Sequence, residues 1–137
     1  IQMSVEYTTE RKQFGVPIGT FQAVKHHVAN VRVALEYAHS HVERAAHSVA
    51  HDTASRSVDV SMAKIAAGEA ALLGSSNSLQ VHGALGYTWA RALPGWVRRA
   101  WTVVLAGGEP AWHRERVAGP LFEGTLPADN FGFSPLA

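Results

Sequence analysis

The residues best placed to do chemistry stand in the stretch Gln80-Val-His-Gly-Ala-Leu-Gly-Tyr-Thr. Gln80 lies one turn before Gly83 and Gly86, which end an apolar helix because glycine tolerates a positive-φ cap and close backbone approach. A side-chain amide there offers a donor and an acceptor where a helix end can meet a ligand. The histidines raise a second chemistry. There are eight of them, and His47 and His51 lie four apart, on one face of a helix. A metal site needs two further ligands, and no His-Glu-x-x-His sequence is present. Packing or surface histidines are the better reading, and no metal is expected. The chain has no cysteine, which excludes disulfides, thiolate metal sites and thiol nucleophiles. Gly83-Ala-Leu-Gly lacks the preceding strand that a dinucleotide fingerprint requires.

The element that must carry Gln80 is a helix over Ser61 and beyond. Val58, Met62, Ile65, Ala66, Leu72, Leu73 and Leu79 recur at spacings of three and four, the buried stripe of an amphipathic helix. Small residues between them, including Ala63, Ala67, Gly68, Ala70 and Gly74, let neighbours approach on more than one side. The pattern predicts the central helix of a bundle, capped by Ser57 or Asp59. Ahead of it Phe21, Val24, Val28, Val31, Leu35, Ala38, Val42, Ala45 and Val49 hold a seven-residue repeat. That predicts a helix of about thirty residues, ~45 Å long, with coiled-coil-like packing.

The remaining elements follow in order. Residues 1 to 13 read as the tail of a helix begun upstream, in a piece of a longer protein. Gly15 stops it, Pro17 restrains the turn, and Thr20 is a suitable N-cap for the long helix. After the connector Trp89 to Gly95, a short helix is predicted from Trp96 to Leu105, broken at Gly107 and Gly108. A last helix starts at Pro110 with Glu109 at its dipole-favoured end and runs to about Ala118. Pro120, Gly124, Pro127, Gly132 and Pro135 then exclude a long helix, while Phe122, Phe131 and Phe133 suggest a tail that packs on something. No segment alternates with period two for long enough to be a convincing strand. The expected fold is an all-α, antiparallel four-helix bundle over residues 1–118, followed by an irregular tail, 119–137.

Composition bounds the function classes. A chain of 137 residues fits one domain that buries roughly 70% of its unfolded surface. It is 47% hydrophobic and 17% charged, as a globular interior requires. A net charge of +1 gives no electrostatic case for nucleic acid or an anionic membrane, and no apolar run approaches the ~18 residues of a span. The four tryptophans, between Trp89 and Trp112, suit a core or an interface better than a nucleic-acid stacking surface. The lack of cysteine fits a reducing compartment, so a cytoplasmic location is expected.

Three stretches in order resemble the acyl-CoA dehydrogenases. Arg11, Phe14, Gly15, Ile18 and Gln22 reproduce that family's Arg-x-x-Phe-Gly-x-x-Ile-x-x-x-Gln segment. Met62-Ala-Lys matches a motif of its central helix. Gln80-Val-His-Gly-Ala-Leu-Gly-Tyr-Thr, followed by Arg98, is similar to its Gln-x-x-Gly-Gly-x-Gly-Tyr-Thr block and trailing arginine. The resemblance implies the C-terminal helical domain, a four-helix bundle that also builds dimer and tetramer contacts. Homo- or hetero-oligomers, FAD as cofactor and an acyl-CoA substrate are therefore expected, with nucleic acid and membrane excluded as partners. By position, Arg11 matches an arginine that binds the FAD pyrophosphate across a subunit interface, a task that suits a planar guanidinium fork. Phe14 matches an apolar residue flanking the adenosine portion. Gln22 and Gln80 match polar flavin contacts, and Gly83 and Ala84 stand where the family places two glycines against the pyrophosphate. Ala84 departs from that pattern by one methyl group.

The larger departure concerns the catalytic base, which takes the substrate's α-proton while the β-hydride passes to the flavin. In many members it is the Glu of a Glu-Gly-Thr sequence, nine residues beyond the arginine matched by Arg98. That count lands on Gly107, which cannot take a proton. Glu109 is the nearest carboxylate but lies two residues late, about 200° round a helix. Glu123-Gly-Thr spells the motif 25 residues after Arg98 and reads as a chance match. The resemblance therefore leaves two expectations open. One is a working enzyme whose base lies upstream or in a partner. The other is a catalytically degenerate structural or regulatory subunit of a heteromeric enzyme. The isolated chain is expected to be inactive.

Overall fold

The computed structural model describes residues 1–89 and 92–126. Five helices, α1 (Gln2–Glu10), α2 (Gln22–Ala50), α3 (Arg56–His82), α4 (Leu93–Leu105) and α5 (Pro110–Phe122), carry the fold. Between α1 and α2 stand two-residue strands, β1 (Lys12–Gln13) and β2 (Val16–Pro17), paired antiparallel. The architecture is the expected all-α, antiparallel four-helix bundle. Expectations that concern Ala90, Arg91 and residues 127–137, Phe131 and Phe133 among them, lie outside the described residues.

α3 is the central helix, packing against α1, α2, α4 and α5. Its small residues are the reason. Ala63, Ala70, Ser61, Ser75 and Ser78 are buried, and Gly68 lies against Val104 of α4 with Gly74 against Val31 of α2. Buried hydroxyls find partners, as burial demands: Ser4 Oγ donates to Ser78 Oγ at 2.9 Å. α4 turns back along α3, with Lys64 Nζ donating to the Val103 carbonyl at 2.6 Å. α5 packs beside the first turns of α3, where His113 Nδ1 lies 3.2 Å from Ser61 Oγ and Arg114 donates to Glu69 at 2.8 Å.

The long helix forms with 29 residues, yet only half of its repeat is used. Val31, Ala38 and Ala45, each seven apart, are buried with Ser48. Leu35, Val42 and Val49 remain 41%, 47% and 57% exposed. One apolar line therefore packs on α3 and the other faces outward.

Local boundaries differ from expectation for identifiable reasons. α1 ends at Glu10 rather than Gln13, because Arg11 turns extended (φ −69°, ψ 123°) and the chain enters a hairpin. Phe14 and Gly15 are both at positive φ, 52° and 82°, the turn chemistry of a two-residue hairpin loop. The strands are too short for a period-two pattern, so they were not legible. Gly15 is thus a hairpin residue rather than a helix stop. Thr20 does not cap α2: its hydroxyl donates to the Pro17 carbonyl at 2.7 Å, and Phe21 holds the N-cap position. Ser57 and Asp59 do not cap α3, which starts after Ser55. α4 starts at Leu93, three residues before Trp96, with Pro94 in its first turn. α5 continues past Ala118 through Pro120 to Phe122.

Asp59 is instead the buried tie between α2 and α3. Arg44 Nε donates to it at 2.7 Å, and the Ser48 and Ser55 hydroxyls donate at 2.5 and 2.8 Å. Burial pushes the carboxyl's pKa up, but those hydrogen bonds and the Arg44 charge outweigh burial and hold it below its ordinary value.

Candidate functional site

Helix directions bring the sequence-predicted dinucleotide residues to one end of the bundle. Ser4 meets Ser78, and Tyr7 stacks on His82, so α1 and α3 run parallel with their C-termini together. α2 runs the other way: Asn77 Nδ2 donates to the His27 carbonyl at 2.9 Å, which sets the N-terminus of α2 beside the C-terminus of α3. Arg11 caps α1, Gln22 opens α2, and Gln80 and Gly83 close α3. Residues far apart in sequence thus share one end of the bundle, and all four are exposed.

Each is held by its backbone while its outward face stays open. The Arg11 N–H donates to the Tyr7 carbonyl at 2.9 Å, and the Arg11 carbonyl accepts from Ile18 at 2.8 Å. Its guanidinium has no ion pair among the described residues. Phe14 stands at the hairpin tip, 93% exposed at φ 52°, with its ring edge-on to Phe21 at 6.2 Å. A non-glycine residue at positive φ is disfavoured, and an exposed ring there gains nothing from this chain's own core.

Gly83 has φ 58° and ψ −141°, a backbone region that side chains disfavour strongly. A Cβ there would meet nothing within 4 Å, so the glycine serves its own turn and leaves open space in front of it. Its N–H is already donated to the Gln80 and Leu79 carbonyls, and Ala84 follows in the exposed start of the Gly83–Tyr87 turn. The residue types suit a phosphate-bearing ligand: a cationic fork, two amides, an aromatic face and an uncrowded backbone at one end of the bundle.

The position of the family base lies elsewhere. Gly107 and Gly108 take φ 80° and 122° between α4 and α5, and Glu109 is the exposed N-cap of α5. A Cβ on Gly108 would lie 2.9 Å from His113 Nε2, and His113 is bonded to Ser61. The linker is therefore level with Ser61, nineteen residues of α3 from Gln80, about 28 Å at 1.5 Å per residue. The two sets of predicted residues occupy opposite ends of the molecule. Glu109 is the linker's own exposed carboxylate, and the His113 ring beneath Gly108 is buried.

Residues that sequence reasoning passed over tie the first end together: Tyr7, His82 and Asn77. Tyr7 and His82 are 75 positions apart, and neither lies on a periodic stripe that would pair them. His47 and His51 do stack, with ring centroids 4.1 Å apart. No group of three or more His, Cys, Asp or Glu that could hold a metal occurs among the described residues. No helix among them is long and apolar enough to cross a membrane.

Comparison with known proteins gives the same frame. The family model "Acyl-CoA dehydrogenase, C-terminal domain" matches residues 1–121. The 3-sulfinopropanoyl-CoA desulfinase of Paraburkholderia xenovorans (strain LB400) is 37% identical over 119 residues, covering 87% of this chain and 30% of the relative. Among solved structures, an FAD-dependent dehydrogenase superposes with a TM-score of 0.83 at 32% identity, over 88% of this chain and 32% of its own. The ChsE4–ChsE5 complex of Mycobacterium tuberculosis superposes with a TM-score of 0.84 at 30% identity, over 93% of this chain and 34% of its own. The chain thus spans about a third of the length of the relatives it matches. Fold, motif order and family match agree, and the chain belongs to the acyl-CoA dehydrogenase family, matching its C-terminal domain.

Proposed function

We propose that this chain serves, within a longer protein, as the C-terminal domain of an FAD-dependent oxidoreductase that α,β-dehydrogenates an acyl-CoA thioester. The observation that carries the reading is the convergence of Arg11, Gln22, Gln80 and Gly83 at one exposed end of the bundle. Arg11 would take the pyrophosphate in a bidentate, charge-assisted contact, with Phe14 against the adenosine and Gln22 and Gln80 on polar atoms of the cofactor. Gly83 and Ala84 would let the phosphates approach the backbone. Bound flavin supplies the hydride acceptor. The related structure described as an FAD-dependent dehydrogenase supports the choice of cofactor.

An oligomer is part of the proposal. The dinucleotide residues and the Gly107 linker lie about 28 Å apart along α3, so one chain would serve two flavins, one of them held across a subunit interface. The outward apolar line of α2 supports such assembly. The related ChsE4–ChsE5 structure is of a complex of two different proteins, which makes a hetero-oligomer as reasonable as a homo-oligomer. The catalytic base is assigned to a residue upstream of Ile1 or to a partner. Glu109 is two residues out of place for it.

A second reading, a degenerate subunit kept for assembly, is favoured by one observation: glycine at 107, where many members of the family carry a carboxylate. The flavin absorbance spectrum of the full-length protein, alone and with any co-purifying partner, decides between them. Bound flavin that acyl-CoA bleaches supports the enzyme; a colourless protein that neither binds FAD nor responds to acyl-CoA supports the assembly subunit. A relative named a desulfinase makes the spectrum with several acyl-CoA classes the right form of the experiment.

A further inference from the structure

Arg11 and the Gly83 turn sit on different helices, yet a diphosphate must meet both at once. Such a site needs its groups within about 0.5 Å and 10–20° of the working geometry. Tyr7 and His82 join the two helices at this end, and the Tyr7 hydroxyl also donates to the His82 carbonyl at 3.5 Å. The Tyr7 and His82 rings stack at 4.3 Å and 18°, and both residues are buried.

Each ring is anchored to one half of the site. On α1, the Tyr7 carbonyl receives the Arg11 N–H at 2.9 Å, so moving Tyr7 moves the residue that carries the guanidinium. On α3, His82 is the last helical residue before Gly83. Its Nδ1 lies 2.8 Å from the Ser78 carbonyl. A carbonyl only accepts, so Nδ1 carries the proton and the ring orientation is fixed. The turn beyond folds back on the same side chain: a Cβ at Gly86 would lie 3.1 Å from His82 Cβ and 3.3 Å from the Leu79 carbonyl. His82 is thus gripped by Tyr7 on one side and by the Gly83–Tyr87 turn on the other.

We propose that Tyr7 and His82 are positioning residues for dinucleotide binding, their ring stack holding the Arg11 guanidinium in register with the backbone of Gly83 and Ala84. The proposal rests on the flavin reading above. It assigns neither residue a contact with the cofactor; both act through Arg11 and the turn.

The test is a double-mutant cycle on the full-length protein, read by flavin titration with the melting temperature followed in parallel. Arg11→Ala alone reports whether the site reading holds. Tyr7→Leu should weaken FAD binding about five-fold, the scale of one aromatic pair, and Tyr7→Phe, which keeps the ring, should restore affinity to within about two-fold. In the Arg11→Ala background the Tyr7→Leu effect should shrink below about two-fold, because residues that act through one another are not additive. A general loss of stability would repeat in full in both backgrounds. The same cycle with His82→Leu reads the other ring, so a folding failure of one variant leaves the other to decide. If Arg11→Ala weakens binding while Tyr7→Leu and His82→Leu do not, the positioning role is wrong and the site stands. Full additivity with Arg11→Ala also overturns it. Unchanged binding in Arg11→Ala removes the site and this proposal together.

Discussion

At the scale of single residues, the proposed site rests on the ends of three helices, with Arg11 after α1, Gln22 opening α2, and Gln80 and Gly83 closing α3. Arg11, Gln22 and Gln80 were singled out by resemblance to the family's motifs, and each is exposed at one end of the bundle. The stacking of Tyr7 on His82 could not be, since nothing in a sequence pairs rings 75 positions apart. Gly83 was expected both to end α3 at positive φ and to admit a phosphate. Its φ of 58° and ψ of −141° bear out the first reason and by themselves require glycine, and its N–H is used within the helix cap. Gly83→Ala should therefore destabilise the fold by about 1–3 kcal/mol even without flavin, which a denaturant melt of the apo-protein would detect. A loss confined to flavin binding, with the melt unmoved, would contradict the backbone assignment.

At the scale of elements, period and composition located all the long helices and the centre of the bundle. What they missed were the ends, where one side chain's choice of partner decides the boundary. Asp59 looked like a cap because a carboxylate in a first turn suits the helix dipole; three donors from α2 and the intervening turn draw it inward instead. Its pKa is lowered in the fold, so its stabilisation is complete above the ordinary value of 3.8 and is lost as pH falls through the lower folded value. Acid unfolding should steepen below about pH 4. Asp59→Ala removes the acceptor shared by Arg44, Ser48 and Ser55, and should cost about 1–3 kcal/mol at neutral pH while flattening that acid limb. Circular dichroism melts at pH 7 and pH 3 give both numbers. An Asp59→Ala protein as stable as the parent would mean that the network only decorates the helix turn.

At the scale of the whole molecule, the apolar surface exceeds what one bundle covers. Leu35, Val42 and Val49 on α2 and Leu72 and Leu73 on α3 stay between 37% and 57% exposed, so size-exclusion chromatography with light scattering should give at least a dimer. A clean monomer at tens of micromolar would count against the proposed packing. The sequence showed the stripe but not which half of it would be used, since that depends on where α3 sits. Residues 1–137 alone should show no acyl-CoA-dependent dye reduction, with glycine at 107 where a base is needed. The most direct measurement is an FAD titration of the full-length protein with Arg11 replaced by alanine. Arg11→Ala removes a charge-assisted contact of about 1.5–3 kcal/mol, so affinity should fall roughly ten- to a hundred-fold with the helical circular dichroism unchanged. Arg11→Lys, which keeps the charge but not the fork, should fall between. FAD binding that is unaltered in Arg11→Ala would contradict the assignment of this end of the bundle to the dinucleotide.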